Sequence, residues 1–263
     1  MAQGTHAYGL LSTARLVMVI KNTPVELTPE ELAIADDIIS NKLSMVSYER
    51  LWATLMACKY AIDNNIKGDF VECGVWRGGN AIAAASIFKL YGSKKKVWLF
   101  DTFAGMTEPT EVDVERHTGD LALDQFHNKL NWACVSLEDV KNNFEKRNLL
   151  TNSVIFKPGD VCKTLDIEKN IPNKICVLRL DTDWYESTKK ELEILYPRLS
   201  IGGCLIVDDY GHWAGSTKAT DEYFDKNKNR PFFHYTDYTG RVGLKVSNKT
   251  INASVVALRD DPT

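Results

Sequence analysis

Two short apolar runs in this chain stop abruptly at acidic residues. Leu178-Arg179-Leu180 leads into Asp181-Thr182-Asp183-Trp184-Tyr185, and Leu205-Ile206-Val207 leads into Asp208-Asp209-Tyr210. Runs of this length and character read as buried strands. If both are parallel strands of one sheet, four carboxylates converge at its carboxyl edge, where open α/β sheets bind ligands. Four close carboxylates repel one another and need a compensating cation or raised pKa values. A hard divalent metal bound through oxygen is the economical answer.

The remaining pattern supplies the sheet. Thr28-Pro29-Glu30-Glu31 reads as a helix start, with Thr28 as cap and Pro29 in the first position. A longer helix is expected from about Ser47 to Asn64. Strands are then expected at Phe70–Cys73, Val97–Asp101, Val154–Lys157, Ile175–Leu180 and Cys204–Val207. Helices at Gly79–Tyr91, Ser136–Lys146, Glu186–Arg198 and Ser216–Asp225 separate or follow them, and Phe232–Tyr235 with Val242–Val246 reads as a closing antiparallel pair. This alternation predicts a mostly parallel, doubly wound α/β sheet in one domain, with a helical appendage before it. Residues 102–135 form a polar insertion too long for an ordinary connection.

Composition narrows the function classes. The chain has 263 residues, 44% hydrophobic and 25% charged, and a net charge of -3. It therefore has enough apolar material for a core and no charge excess that would favour nucleic acid or an anionic membrane. The six cysteines are scattered, mostly in apolar surroundings and without zinc-ligand spacing, and read as reduced, buried thiols of a cytoplasmic protein. The N-terminal residues, including an apolar patch from Leu16 to Ile20, do not resemble a signal peptide or a membrane span. Asn248-Lys249-Thr250 and Asn252-Ala253-Ser254 fit the glycosylation pattern but carry no weight without a secretory signal.

Phe70-Val71-Glu72-Cys73-Gly74-Val75-Trp76-Arg77-Gly78-Gly79 is a strand, a glycine turn and a helix start. Glycines allow the backbone to approach a ligand closely, and the helix N-terminus offers free N–H groups. The next strand ends at Asp101, where a nucleoside-binding fold places a carboxylate for ribose hydroxyls. The spacing Gly-x-x-x-Gly-Gly does not specifically indicate a dinucleotide.

These segments carry a family resemblance. Asp69 to Gly79, Leu99-Phe100-Asp101-Thr102-Phe103-Ala104-Gly105-Met106, Leu180 to Thr188 and Asp208-Asp209-Tyr210-Gly211-His212-Trp213 resemble the macrocin O-methyltransferase family, in order, from about Ser44 to Phe224. The resemblance implies the Rossmann-like, doubly wound, mostly parallel seven-stranded sheet of class I methyltransferases, with residues 1–65 as a helical appendage or lid and 66–263 as the catalytic domain. It implies S-adenosyl-L-methionine and Mg²⁺ as cofactors. The acceptor would be a sugar hydroxyl of a glycosylated natural product or polysaccharide precursor, and the assembly a homo-oligomer, dimer or higher. Glu72, Gly74, Val75, Trp76, Arg77 and Gly78 would hold the amino-acid end of the cofactor, with Met45 nearby. Asp101 would bind the ribose with Phe103 beside it, and Ser136, Asp160 and Val161 would border the adenine. Asp181, Asp208 and Asp209 match the metal ligands, and Asp183 the general base.

A sugar hydroxyl is a weak nucleophile until its proton is removed, which is the work such carboxylates can do. Two-residue spacing places Asp181 and Asp183 on one side if the strand persists, whereas Asp208 and Asp209 share an ion only if their strand ends there. His212 is the alternative base. Trp184, Tyr185 and Trp213 could pack or contact a sugar ring, and His117 and His127 could lie on the surface or meet the acceptor. Residues 1–40 and part of 102–135 are expected to act as a lid. Three rival readings remain: a metal-dependent catechol-type O-methyltransferase, a short-chain dehydrogenase using Tyr185-x-x-x-Lys189, and a non-enzymatic nucleoside-binding module.

Overall fold

A computed structural model describes residues 23–247. The Leu16–Ile20 patch and both glycosylation-type triplets lie outside the described residues. The chain begins with two helices, α1 (Pro29–Ser40) and α2 (Tyr48–Asp63). Thr28 caps α1 as its sequence predicts: its hydroxyl accepts from the Glu31 N–H, and the Glu31 carboxylate returns a bond to the Thr28 N–H at 2.7 Å. Ser47 caps α2 by accepting from the Arg50 N–H at 3.2 Å, without the reciprocal bond.

Five strands follow in parallel: β1 (Asp69–Cys73), β2 (Val97–Asp101), β3 (Val154–Pro158), β4 (Ile175–Leu180) and β5 (Leu199–Val207). The hairpin β6 (His234–Tyr235) and β7 (Arg241–Leu244) closes the sheet antiparallel to β5. The order is β3-β2-β1-β4-β5-β7-β6. This is the seven-stranded, mostly parallel arrangement expected, and the chain turns between its two halves beside β1 and β4. The intervening helices are α3 (Gly79–Leu90), α4 (Ala122–Asn128), α5 (Leu137–Glu145), α6 (Val161–Thr164), α7 (Tyr185–Leu195) and α8 (Ala214–Asn227). Among the described residues, no helix is long and apolar enough to cross a membrane.

The period-two alternation of the strands sorts the core into two layers. Phe70, Leu99, Val177 and Ile206 face α1, α2 and α3, while Val71, Phe100, Leu178 and Val207 face α7 and α8. The division expected at residue 65 is not a break in packing, because Ala35, Ile38, Leu51 and Leu55 share one cluster with Phe70 and Ile82. Four elements depart from the sequence expectation. β5 begins at Leu199, because the backbone continues through Gly202 (φ 80°) and Gly203, which read as a turn. Phe232 is 87% exposed and outside β6, and α4 and α6 carried too short a pattern to be seen.

Candidate active site

At the end of β1 the chain turns through Gly74 (φ 83°), Trp76 (φ 47°) and Gly78 (φ 90°) into α3. Gly74 is required for close approach, since a Cβ there would lie 1.8 Å from the Asp181 carbonyl oxygen. Asp101, at the end of β2, fixes this turn. Its Oδ2 accepts from the N–H groups of Val75 (2.6 Å) and Trp76 (3.1 Å), and its Oδ1 from that of Phe103 (2.6 Å). Asp101 is thus a structural staple before any ligand arrives. Two oxygens offer about four acceptor sites, so capacity for a ribose hydroxyl remains.

The acids at the ends of β4 and β5 meet as the sequence predicts. Asp181, Asp208 and Asp209 each offer a carboxylate oxygen within 4.8 Å of the others. β5 does end at Val207, which frees Asp208 and Asp209 from strand alternation. Asp183 reaches the site by another route than the one expected. β4 stops at Leu180, and Asp183 adopts φ 70° in a tight turn closed by the Trp184 N–H on the Thr182 carbonyl (2.8 Å).

The sequence reading overlooked the cations among these acids. Arg179, fully buried in β4, donates to Asp181 and Asp208 and, at 3.0 Å, to Glu72 Oε1. Glu72 and Arg179 are register partners on β1 and β4, so their side chains share one face. Arg50 of α2 donates to the other oxygen of Asp208 and, through Nε at 2.9 Å, to Asp237. A guanidinium can be afforded in the core only with such partners, and a lone Arg inside an otherwise apolar strand is a usable signal of them. Burial opposes the charge of Arg179, but Asp181, Asp208 and Glu72 outweigh it and raise its pKa.

Two guanidiniums do not balance this many carboxylates. Burial, followed by the neighbouring Asp181 charge, pushes Asp183 up to about 8. Burial also raises Asp181 and Asp209 well above the usual range and Glu72 to about 8. The Oδ2 of Asp209 and the Oε2 of Glu72 are buried without a partner. Trp213 donates its indole N–H to Asp183 Oδ2 (3.2 Å). Its ring packs edge-on against Trp184 at 5.0 Å and lies 6.3 Å from Trp132 of the insertion. His212 lines the same recess with an unpartnered Nδ1, and burial lowers its pKa.

The insertion is docked onto this cluster by specific bonds. Asp113, fully buried, accepts from the Tyr185 N–H at the start of α7 (2.8 Å), and the Trp184 indole donates to the Thr107 carbonyl (2.9 Å). His117 and His127 are both exposed, His117 beside Tyr238 and His127 3.8 Å from Glu108.

Two recesses meet at Asp181. One, of about 160 Å³, is lined by Met45, Glu72, Val75 and Trp76 together with Asp181, Asp183, Asp208 and Asp209. The other is lined by Gly74, Asp101, Asp160, Val161 and Asp181. Four expected cofactor residues line neither. Gly78 serves as the N-cap of α3, and Phe103 packs against Phe156. The Arg77 guanidinium turns back over Trp76, and Ser136 spends its hydroxyl capping α5. Tyr185 and Lys189 lie away from both recesses, with the Tyr185 hydroxyl donating to Glu222 (2.7 Å), which removes the dehydrogenase pair. Of the six thiols, Cys134 is exposed and Cys162 partly so, against the expectation of general burial.

Comparison with known proteins gives a match to the macrocin-O-methyltransferase (TylF) family over residues 8–242. The chain is 36% identical over 188 residues to the demethyldecarbamoylnovobiocin O-methyltransferase of Streptomyces niveus, covering 70% of this chain and 68% of that protein. It is 32% identical over 227 residues to the mycinamicin III 3''-O-methyltransferase of Micromonospora griseorubida, covering 85% and 82%. The structure of the O-methyltransferase NovP superposes with a TM-score of 0.69 at 32% identity, over 78% of this chain and 82% of that one.

Proposed function

The chain belongs to the macrocin O-methyltransferase family, and from that premise we propose that it methylates a sugar hydroxyl on a glycosylated small molecule. As an S-adenosylmethionine-dependent O-methyltransferase it needs a donor site, a place for the acceptor oxygen and a group to take its proton. The observation that carries the reading is the position of Asp183, beside three converging carboxylates and one recess away from the Gly74–Asp101 turn. The relatives named for a mycinamicin 3''-hydroxyl and for a novobiocin precursor support an antibiotic-type glycoside as the acceptor class.

The donor set at the acid corner fits a magnesium-class cation. Asp181, Asp208 and Asp209 would hold it, since all three offer hard oxygens and Asp209 Oδ2 is buried without a partner. Such a cation supplies Lewis-acid polarisation of an oxygen. Arg179 and Arg50 keep Asp208 in place from both sides. Glu72 Oε2, buried and unpartnered, suits the ammonium end of the cofactor. Asp183, held through Oδ2 by Trp213, accepts the acceptor proton on its other oxygen. The acceptor oxygen forms its bond to the methyl carbon as the carbon–sulfur bond breaks, and that electron pair leaves on sulfur as S-adenosylhomocysteine.

The test is a panel of glycosides, nucleotide sugars and catechols incubated with labelled methyl donor and Mg²⁺, read by mass spectrometry. Methylation confined to the sugar of a glycoside is the expected result. Preferential methylation of a catechol would replace this reading with its closest rival. Sedimentation of the same protein tests the proposed homo-oligomer.

A further inference from the structure

Helix α2 is apolar on two sides. Leu51, Leu55, Cys58 and Ala61 are buried in the core, as one helical stripe requires. Trp52, Ala53, Met56 and Tyr60 form a second stripe, which with Val242 of β7 lines an open groove of about 550 Å³. No residue lining this groove lines the acid recess. A helix with apolar stripes on two opposite sides is one that is covered on both.

The described chain begins at this groove, because Thr23 and Pro24 form part of its wall. Just upstream stands Leu16-Val17-Met18-Val19-Ile20, separated from Thr23 only by Lys21 and Asn22. Five extended residues reach about 17 Å, and the stripe from Glu49 to Tyr60 rises by a similar length of about 16 Å along the helix. The family match extends back to residue 8 but stops at 242, so this apolar run lies within the family domain while the C-terminal stretch does not. Two lining side chains also carry buried polar atoms without a partner, Trp52 Nε1 and Thr236 Oγ1. A peptide backbone offers both the acceptor and the donor they lack.

We propose that Leu16–Ile20 of the same chain fills the groove on α2. The run then braces the back of the helix whose first turn presents Ser47 and Arg50 to Asp237 and Asp208. It also removes these residues from the acceptor side, where a lid built from residues 1–40 would have put them. The inference is independent of the acceptor and of the metal.

The full-length chain carrying Cys134→Ser with Met18→Cys and Met56→Cys tests it by mild oxidation and peptide mapping. A disulfide within one chain is expected to form about tenfold faster than in a control pairing Met18→Cys with Leu130→Cys, since a docked segment opens only by local unfolding. A bond between two chains would assign the groove to a second copy, and a rate equal to the control would leave Leu16–Ile20 elsewhere. Either result overturns the proposal. Trypsin gives a second measurement on chains with no added cysteine, through cleavage at Arg15 and Lys21 on either side of the run. Leu16→Asn with Ile20→Asn, on the face that Met18 shares, should accelerate that cleavage about tenfold if docking protects it, and unchanged rates would also overturn the proposal.

Discussion

Asp101 and Asp208 stand at the same sheet edge with β1 and β4 between their strands, yet their charges are compensated by different means. Asp101 is balanced by three backbone N–H groups from the turns on either side of it. Asp208 is balanced by two guanidiniums, Arg179 from within β4 and Arg50 from α2. Backbone donors are fixed dipoles that come with the turn and are spent on one acid. Guanidiniums are whole charges shared among several acids, and here they leave Asp183 and Asp209 unbalanced. The first arrangement builds a rigid cradle for a polar ligand, and the second leaves a deficit of positive charge at the acid corner.

The hardest test of this contrast is Asp183→Asn. The amide keeps the shape of the side chain and tolerates its left-handed backbone, but it cannot take a proton. Turnover should fall by roughly 10²–10⁴-fold, while calorimetry shows Mg²⁺ and cofactor affinities unchanged. Metal affinity falling in step with turnover would move Asp183 into the ligand set. Arg179→Met should come next. Removing one partner of a buried ionic network costs about 3–5 kcal/mol, measurable by denaturant titration. Added Mg²⁺ should restore more stability to this variant than to the parent, because it neutralises the same acids; equal gains would separate the guanidinium from the metal corner.

On the other side of the comparison, Asp101→Ala should weaken cofactor binding by roughly 2–4 kcal/mol, as charge-assisted hydrogen bonds are lost. Because Asp101 also staples the Val75–Trp76 turn, the same variant should lose thermal stability without any ligand, and an unchanged melting temperature would count against the staple. A pH-dependent effect concerns Glu191, a buried acid on α7 that accepts from the Thr182 hydroxyl (2.8 Å) and is raised by burial to about 8. The folded state retains this proton while the unfolded chain loses it near 4.5. Its contribution to stability is therefore complete below about 4.5 and declines as pH rises towards 8, by at most about 1.4 kcal/mol per pH unit. Glu191→Gln should remove that slope in denaturation series at pH 5 to 8, and parallel curves for the two proteins would dismiss it.

The features readable in the sequence were those written locally. Thr28 and Ser136 announce their helices because a cap and its partner lie within three residues. Asp181, Asp208 and Asp209 stood out because apolar strands end on them, and an open α/β sheet has one edge for such ends. Arg179 was in plain view but its meaning depends on Glu72, 107 positions away, and on the register of β1 with β4. Arg50 is 158 positions from Asp208 and 187 from Asp237. The anchoring of the insertion by Asp113 across 72 positions was equally hidden, so a docked segment looked like a free loop. The spacing of Asp183 from Asp181 suggested one side of a continuing strand, whereas a turn positions it, and its role as base came only from the family resemblance.

The ties between α2, Asp208 and the loop carrying Asp237 and Thr239 also set an order of assembly. Thr239 donates its hydroxyl to the Asp208 carbonyl at 2.7 Å, and Asp237 holds both Arg50 and Ser47. On a ribosome, the elements from α1 through β5 emerge well before this loop, and contacts between distant positions are late and slow to close. Arg50 gains its second anchor, Asp237, only from the loop between β6 and β7, so the last hairpin of the sheet completes the setting of Asp208.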